Sequence, residues 1–195
     1  MRFGLDQDEF FRMLMSEERK KWQNPGDILS KLGLSRGHRF LDVASGPGYF
    51  ATEASKIVGE SGYVYCVDAD QRAADICFQN LSRIGYRNFK VVTRRIEDVQ
   101  LPTAHFNVAL VANVLHDFED PVFVMRRIYT SLCAEGILGV VDWKKIETPF
   151  GPPLSVRLDE GECVRIVEEG GFKAIEVDTS YPYHYLIKAK KTGYI

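Results

Sequence analysis

Between Arg39 and Phe50 the chain changes its pattern twice. Arg39–Val43 is an apolar run broken by one acid, Asp42. Ala44-Ser45-Gly46-Pro47-Gly48 is too rich in glycine to continue a strand, and from Tyr49 the pattern is helical. A strand, a glycine turn and a helix start make a small-molecule site, because glycine lets a ligand approach the backbone and the helix end offers unpaired N–H groups. Gly46-x-Gly48-x-x-Ala51 fits a dinucleotide fingerprint in its Gly/Ala form, a weak signal alone. Asp42 argues against that ligand. At roughly 8 Å and an effective dielectric of about 20, a carboxylate and a pyrophosphate charge repel by about 2 kcal/mol, and a cation is attracted by a similar amount.

The rest of the chain repeats the alternation. Helices are expected at Tyr49–Val58, Gln71–Ile84 (ended by Gly85), Pro121–Cys133 and Asp159–Glu169. Strands are expected at Tyr63–Val67, Phe89–Thr93, Asn107–Ala112 and Gly136–Asp142. Apolar strands separated by amphipathic helices predict a parallel sheet covered on both faces. Phe172–Val177 and Tyr183–Ala189 have no helix between them, so they form an antiparallel hairpin. Ahead of the sheet, residues 5–22 carry Phe10, Phe11, Leu14, Met15 and Trp22 amid charge and read as an amphipathic helix followed by a basic turn, Arg19-Lys20-Lys21. Asn24-Pro25 starts a second helix, through Ile28, Leu29 and Leu32 to Gly33. These helices are placed to lie across the mouth of a site.

A length of 195 residues predicts one domain, 1–195, with 1–34 as a helical cap and 35–195 as the core. Such a chain buries about 70% of its unfolded surface and needs no staple. A net charge of −2 gives no support to general nucleic-acid or anionic-membrane binding. Cys66, Cys77, Cys133 and Cys163 are scattered, with no C-x-x-C pair and no clustered histidines; they are expected to be buried thiols, Cys66 on a strand and Cys77 and Cys133 on helices, with no metal site. Residues 1–14 lack the pattern of a signal peptide, and no apolar run is long enough to span a membrane, so the expected location is the cytoplasm.

Leu41-Asp42-Val43-Ala44-Ser45-Gly46-Pro47-Gly48 resembles motif I of class I S-adenosylmethionine-dependent methyltransferases, with Ala44 where the first glycine is usual. Val64–Asp68 resembles that family's second strand with its terminal acid. Ile96–Pro102 resembles the segment near the adenine, and Asn113–Phe118 the segment after the fourth strand. Gly151–Arg157 and Glu168–Phe172 resemble the tail of small-molecule members, including the ubiquinone/menaquinone-biosynthesis-like (type 11) group. The resemblance implies a Rossmann-like three-layer αβα sandwich with a mostly parallel seven-stranded sheet and a C-terminal antiparallel strand. It implies S-adenosylmethionine as cofactor, leaving as S-adenosylhomocysteine. Asp42, Ala44, Gly46, Gly48, Asp68, Ala69, Ile96, Glu97 and Asn113 are the implied cofactor residues.

Several positions carry a second reading. Asp42 is also placed to cap a helix, and Asp70 suits capping the helix at Gln71 better than touching ligand. Glu97 reads equally as a solvated loop acid; Ile96 suits apolar cover for a base. Asp68 serves the ribose of a nicotinamide cofactor as well as that of S-adenosylmethionine. His116 is the candidate general base, against a locally bonded loop histidine; His38, His105 and His184 read as surface or strand-end residues. Trp143, Lys144, Lys145, Arg157, Tyr183 and Tyr185 are candidates to line an acceptor pocket. Asn113-Val114-Leu115-His116 lacks the Pro-Pro-aromatic motif of planar amino-nitrogen methylation, and no Pro-Cys pair serves cytosine carbon methylation. The expected acceptor is therefore a small organic molecule, with a protein or RNA second. The alternatives are a non-catalytic S-adenosylmethionine-binding protein and a nicotinamide-dependent oxidoreductase. Self-association is left open.

Overall fold

The computed structural model describes residues 6–193. Its centre is one seven-stranded sheet: β1 (Arg39–Val43), β2 (Tyr63–Asp68), β3 (Phe89–Thr93), β4 (Phe106–Ala112), β5 (Leu132–Trp143), β6 (Lys173–Asp178) and β7 (His184–Lys190). The order is β3-β2-β1-β4-β5-β7-β6. β1 to β5 pair in parallel, and β7 runs antiparallel between β5 and β6. On one face lie α2 (Pro25–Lys31), α3 (Tyr49–Val58) and α4 (Gln71–Ile84), packed on Phe40, Val64, Cys66 and Leu110. On the other lie α5 (Pro121–Ser131) and α6 (Glu160–Glu169), packed on Leu41, Val67, Val111 and Ile187. This is the three-layer sandwich expected, with strand alternation sending successive side chains to opposite layers.

The helices start and stop where side chains satisfy their ends. Asn24 Oδ1 accepts from the Gly26 and Asp27 amides at 3.0 and 3.3 Å, with Pro25 at the first position. Asp159 and Glu162 form a reciprocal capping box at α6. Gly85, left-handed at φ 94°, ends α4.

Three expectations need correction. The helix and basic turn read over 5–22 are α1 (Gln7–Leu14) and a 3₁₀ turn at Glu17–Lys21, the helix stopping short because Ser16 accepts from the Arg19 amide and starts the turn. The helix read through Cys133 stops at Ser131, and β5 begins at Leu132 rather than Gly136. Leu132 pairs with Phe106 before the register shifts, an irregularity that a period-based reading does not register. Cys133 is therefore on a strand and half-buried, its thiol donating to the Ala104 carbonyl, whereas Cys66, Cys77 and Cys163 are buried.

The chain crosses from β3 over β2 and β1 to β4, so the order reverses between β1 and β4. Ligands in open α/β sheets bind at such a reversal, outside the strands' carboxyl ends. A cavity of about 1210 Å³ lies there.

Candidate active site

The floor of the cavity is the glycine turn. Asp42, at the end of β1, is 2% exposed, and its Oδ2 has no hydrogen-bond partner among the described residues. Burial, then the nearby Asp68 carboxylate, push its pKa up to about 8; the Ala51 amide and the Arg19 guanidinium act the other way. The Ala51 interaction is the helix-capping use open in the sequence, but it leaves the second oxygen unsatisfied. Asp68, at the end of β2, accepts from the Gly46 amide (2.6 Å) and the Asp70 amide (2.9 Å). It pins the turn to the β2–α4 corner as well as lining the cavity. Asp70 caps α4 through the Ala73 amide and accepts from Gln7 Nε2, both as 3.0 Å bonds.

Ala44 and Gly46 line the cavity with left-handed backbones, φ 53° and 54°. A Cβ at Gly46 meets nothing within 4 Å, so this glycine is required by its backbone conformation rather than by a neighbour. Gly48 differs. It is absent from the cavity lining, and a Cβ there would lie 2.9 Å from Cys77 Sγ. Its lack of a Cβ serves the packing of α3 on α4. Ala69, Ile96 and Glu97 line the cavity; Ile96 is buried within the 3₁₀ turn Ile96–Asp98, and Glu97 pairs with Arg95 at 3.5 Å.

Past β4, Asn113 (φ 58°) lines the same cavity. Its side-chain amide is paired reciprocally with that of Gln23, both bonds 3.1 Å. His116 follows in a 3₁₀ turn, Leu115–Asp117, and also lines the cavity. Its Nδ1 is 2.9 Å from Oδ1 and 3.1 Å from Oδ2 of Asp142, a buried acid near the end of β5 that also accepts from the Trp143 amide. The Asp142 carboxylate accepts from Nδ1, and Nε2 lies 3.7 Å from Asp117 Oδ1. A histidine oriented by a buried acid on a cavity wall can take a proton.

The roof comes from the N-terminal segments. α1 supplies Phe10 and Phe11, and the following turn supplies Arg19 and Trp22. Trp22 stacks on His184 (5.3 Å, 10°) and adjoins Trp143, Phe150 and Tyr183. His184 begins β7 as a strand-end residue, but it is fully buried, not on the surface. Neither ring nitrogen has a partner among the described residues, and burial, then the charges of Arg19, Arg157 and Lys144, lower its pKa to about 2.

Of the acceptor-side candidates, only Trp143 lines the cavity. Lys144 donates to the Thr179 and Tyr181 carbonyls, and Lys145 to Glu162. Arg157 binds the Pro152, Lys144 and Ile146 carbonyls and Thr148 Oγ1, so it staples the loop that presents Phe150–Pro153 to the cavity. Tyr185 is buried against the Leu158 carbonyl. Two site residues escaped the sequence reading. Asp142 is a strand-end acid like Asp68, a signal that was present. Arg19 reads with Lys20 and Lys21 as one basic turn, yet those two pair outward with Glu17 and Glu18 while Arg19 turns in. Ser16, three residues before Arg19, is the signal that resets the turn.

Among the described residues no cluster of His, Cys, Asp or Glu is grouped to hold a metal, and no helix is long and apolar enough to cross a membrane. Residues 34–169 match the model of a family described as the methyltransferase domain. Over 71 residues the chain is 39% identical to the "Probable cobalt-precorrin-6B C(15)-methyltransferase (decarboxylating)" of Sulfolobus acidocaldarius, covering 36% of this chain and 37% of that one. Over 158 residues it is 28% identical to the ubiquinone/menaquinone biosynthesis C-methyltransferase of Pasteurella multocida, covering 80% of this chain and 57% of that one. The chain thus spans only part of the length of these curated relatives. A solved structure described as a SAM-dependent methyltransferase from Aquifex aeolicus superposes with a TM-score of 0.88 over 96% of this chain and 100% of its own, at 24% identity; the likeness is one of fold.

Proposed function

The chain belongs to the methyltransferase-domain family, and on that premise we propose that it transfers the methyl group of S-adenosylmethionine to a small organic acceptor whose attacking atom carries a proton. The observation that carries the reading is Asp42. A buried carboxylate with an unsatisfied oxygen, on the wall of an open cavity, fits a cationic ligand and not a pyrophosphate. That observation disfavours the nicotinamide alternative. The open space at Gly46 and the apolar wall at Ile96 suit the rest of an adenosyl ligand. The cavity, about 1210 Å³, exceeds the roughly 300–1000 Å³ of a single-ligand site, which leaves room for an acceptor.

The bound donor supplies a methyl carbon on a sulfonium: the acceptor's lone pair forms the new bond while the carbon–sulfur electron pair leaves to sulfur. The chain's own residues do the remaining work. Asp42 and Asp68 hold the donor end, and the aromatic roof excludes water from the transfer. His116 Nε2 takes the acceptor's proton, and Asp142 keeps Nδ1 protonated and the ring oriented. This pair favours turnover over the non-catalytic binding alternative. The ubiquinone/menaquinone relative supports a small acceptor. Four free cysteines, three of them buried, support the reducing environment of the cytoplasm.

Two measurements test the reading. S-adenosylmethionine or S-adenosylhomocysteine at about 100-fold its Kd adds about 2.7 kcal/mol, which raises Tm by roughly 5–10 °C, and NADH and FAD leave it unchanged. A shift with NADH alone rejects the proposal. Radiolabelled methyl released into a metabolite extract identifies turnover; label retained on the donor identifies a binder. Asp142→Asn is expected to lower kcat and alter its pH profile at unchanged donor affinity.

A further inference from the structure

β3 forms an open edge of the sheet, paired only with β2. The Val64 amide donates to the Asn88 carbonyl at 3.0 Å, and the Arg94 amide to the Asp68 carbonyl at 2.9 Å, so residues 88 and 94 bond inward. Alternate residues of a parallel strand turn both backbone groups to the same side. That places Lys90 and Val92 with the inward pair and turns Phe89, Val91 and Thr93 outward. Among the described residues no strand takes those outward N–H and C=O groups. The strand carries no proline and its register with β2 is unbroken, so nothing in its backbone blunts the edge.

The edge is also charged. Residues 71–95 hold six cations and one acid, in a chain whose net charge is −2. Arg72 and Arg95, near the ends of that run, pair with Asp8 and with Glu97 and Glu119. Arg83, Arg87, Lys90 and Arg94 are exposed and make no ion pair among the described residues. The two faces beside the edge differ. On the α4 side lie Phe89, Val91 and Phe78, which is 55% exposed with its ring edge-on to Phe89 at 5.5 Å. On the other side Lys90 lies over the Tyr65 ring at 5.5 Å.

We propose that this edge docks an extended, acidic segment of another protein, which adds a strand to the sheet beside β3. Main-chain hydrogen bonds to Phe89, Val91 and Thr93 supply affinity. The two faces select a sequence in which acidic residues, toward Lys90, alternate with apolar ones, toward Phe78 and Val91. A second copy of β3 is a poor occupant, because it sets Arg87, Lys90 and Arg94 against their like. A phosphodiester backbone answers the cations but offers no N–H to the outward carbonyls; a peptide answers both. The assignment is independent of the methyl-transfer reading, although Arg94 and Arg95 also line the cavity, so the docked segment ends beside its mouth.

The test is fluorescence anisotropy with a labelled peptide of about eight residues that alternates glutamate with valine, long enough to span β3. Its counterpart alternating lysine with valine is expected to bind at least about tenfold more weakly, and Lys90→Glu to cut that preference at least about threefold. Val91→Pro removes one outward N–H without touching the β2 ladder, and is expected to weaken the acidic peptide by about three- to tenfold. Amide exchange needs no variant: in the wild-type complex it is expected to slow at Phe89, Val91 and Thr93. Equal binding of the two peptides, or no binding of the acidic one at about 1 mM, overturns the proposal. So does acidic-peptide binding that leaves those three amides unprotected, because charge alone then holds the peptide. Tighter binding of single-stranded oligouridylate than of the acidic peptide overturns it too, and makes the edge a nucleic-acid surface.

Discussion

Ala44 sits at φ 53°, where a Cβ crowds the following carbonyl at a cost of about 1–2 kcal/mol. Ala44→Gly is therefore expected to stabilise the protein by about 0.5–1 kcal/mol after the extra flexibility of glycine in the unfolded chain is subtracted, as read by urea titration. The neighbouring Asp42 makes donor binding pH-dependent. Its pKa is raised to about 8, so at neutral pH the empty site holds a protonated carboxyl, whereas an ammonium ligand requires the carboxylate. Affinity is expected to tighten with rising pH, approaching tenfold per pH unit well below 8, and to turn over near 8, where the ligand's α-ammonium loses its own proton; below that, a proton is released on binding that calorimetry in buffers of different ionisation enthalpy detects. At this scale the sequence disclosed acids better than bases. Asp42 and Asp68 end apolar strands, where an acid is conspicuous. Arg19 precedes two lysines, and among the three adjacent cations only the spacing from Ser16 marks it as the one that turns inward.

At the scale of elements, the glycine motif divides its work. Gly46 keeps the turn open, and Gly48 lets α3 approach α4 at Cys77. Gly48→Val is expected to destabilise by about 3 kcal/mol or more, since it adds side-chain bulk against Cys77 to a left-handed backbone at φ 90°. Chemical denaturation measures the loss, and a substantial part returns in the double variant with Cys77→Ala, which relieves the clash but not the backbone strain. A fingerprint match could not separate these roles, because both glycines satisfy it equally. The pattern located α2, α3, α4, α6 and six of the seven strands to within a residue or two, since each of these helices buries one face against the sheet and the strands are apolar runs. It failed at Leu132, where a helix passes into a strand without an intervening breaker and the pairing with β4 is irregular. It failed again at Ser16, where a small polar residue inside an amphipathic pattern is a cap.

Across the whole molecule, two buried groups titrate in opposite senses. The folded pKa of His184 lies near 2, below its unfolded value of about 6.5, so the unfolded chain binds the extra proton and stability drops as pH falls below about 6.5. The folded pKa of Asp42 lies near 8, above its unfolded value, so the native protein binds the extra proton and stability drops as pH rises from about 4 to 8. Below 6.5 the slopes of these two groups offset; between 6.5 and 8 Asp42 acts without His184. The ligand-free protein is expected to show a plateau of stability at mildly acidic pH and a decline of about 1–2 kcal/mol from pH 6.5 to 8, seen in urea midpoints. Bound donor removes the decline, and His184→Phe tilts the plateau so that stability keeps rising toward acid. His184 was legible only as a strand end: its burial depends on Trp22, more than 160 positions earlier in the chain, which no local pattern connects to it.

The position of β7 also sets a schedule. β5 is the longest strand, and the partner for its outer edge is β7, made only after α6 and β6. While the ribosome is still extending the chain through residues 144–183, the backbone groups of β5 from Ile137 to Trp143 have no sheet neighbour on that side, along a run that includes Leu138, Val140 and Val141. An unfinished or truncated product lacking His184–Lys190 exposes that edge as a template for other chains, so shortened forms of this protein are expected to be lost to aggregation before they are lost to inactivity.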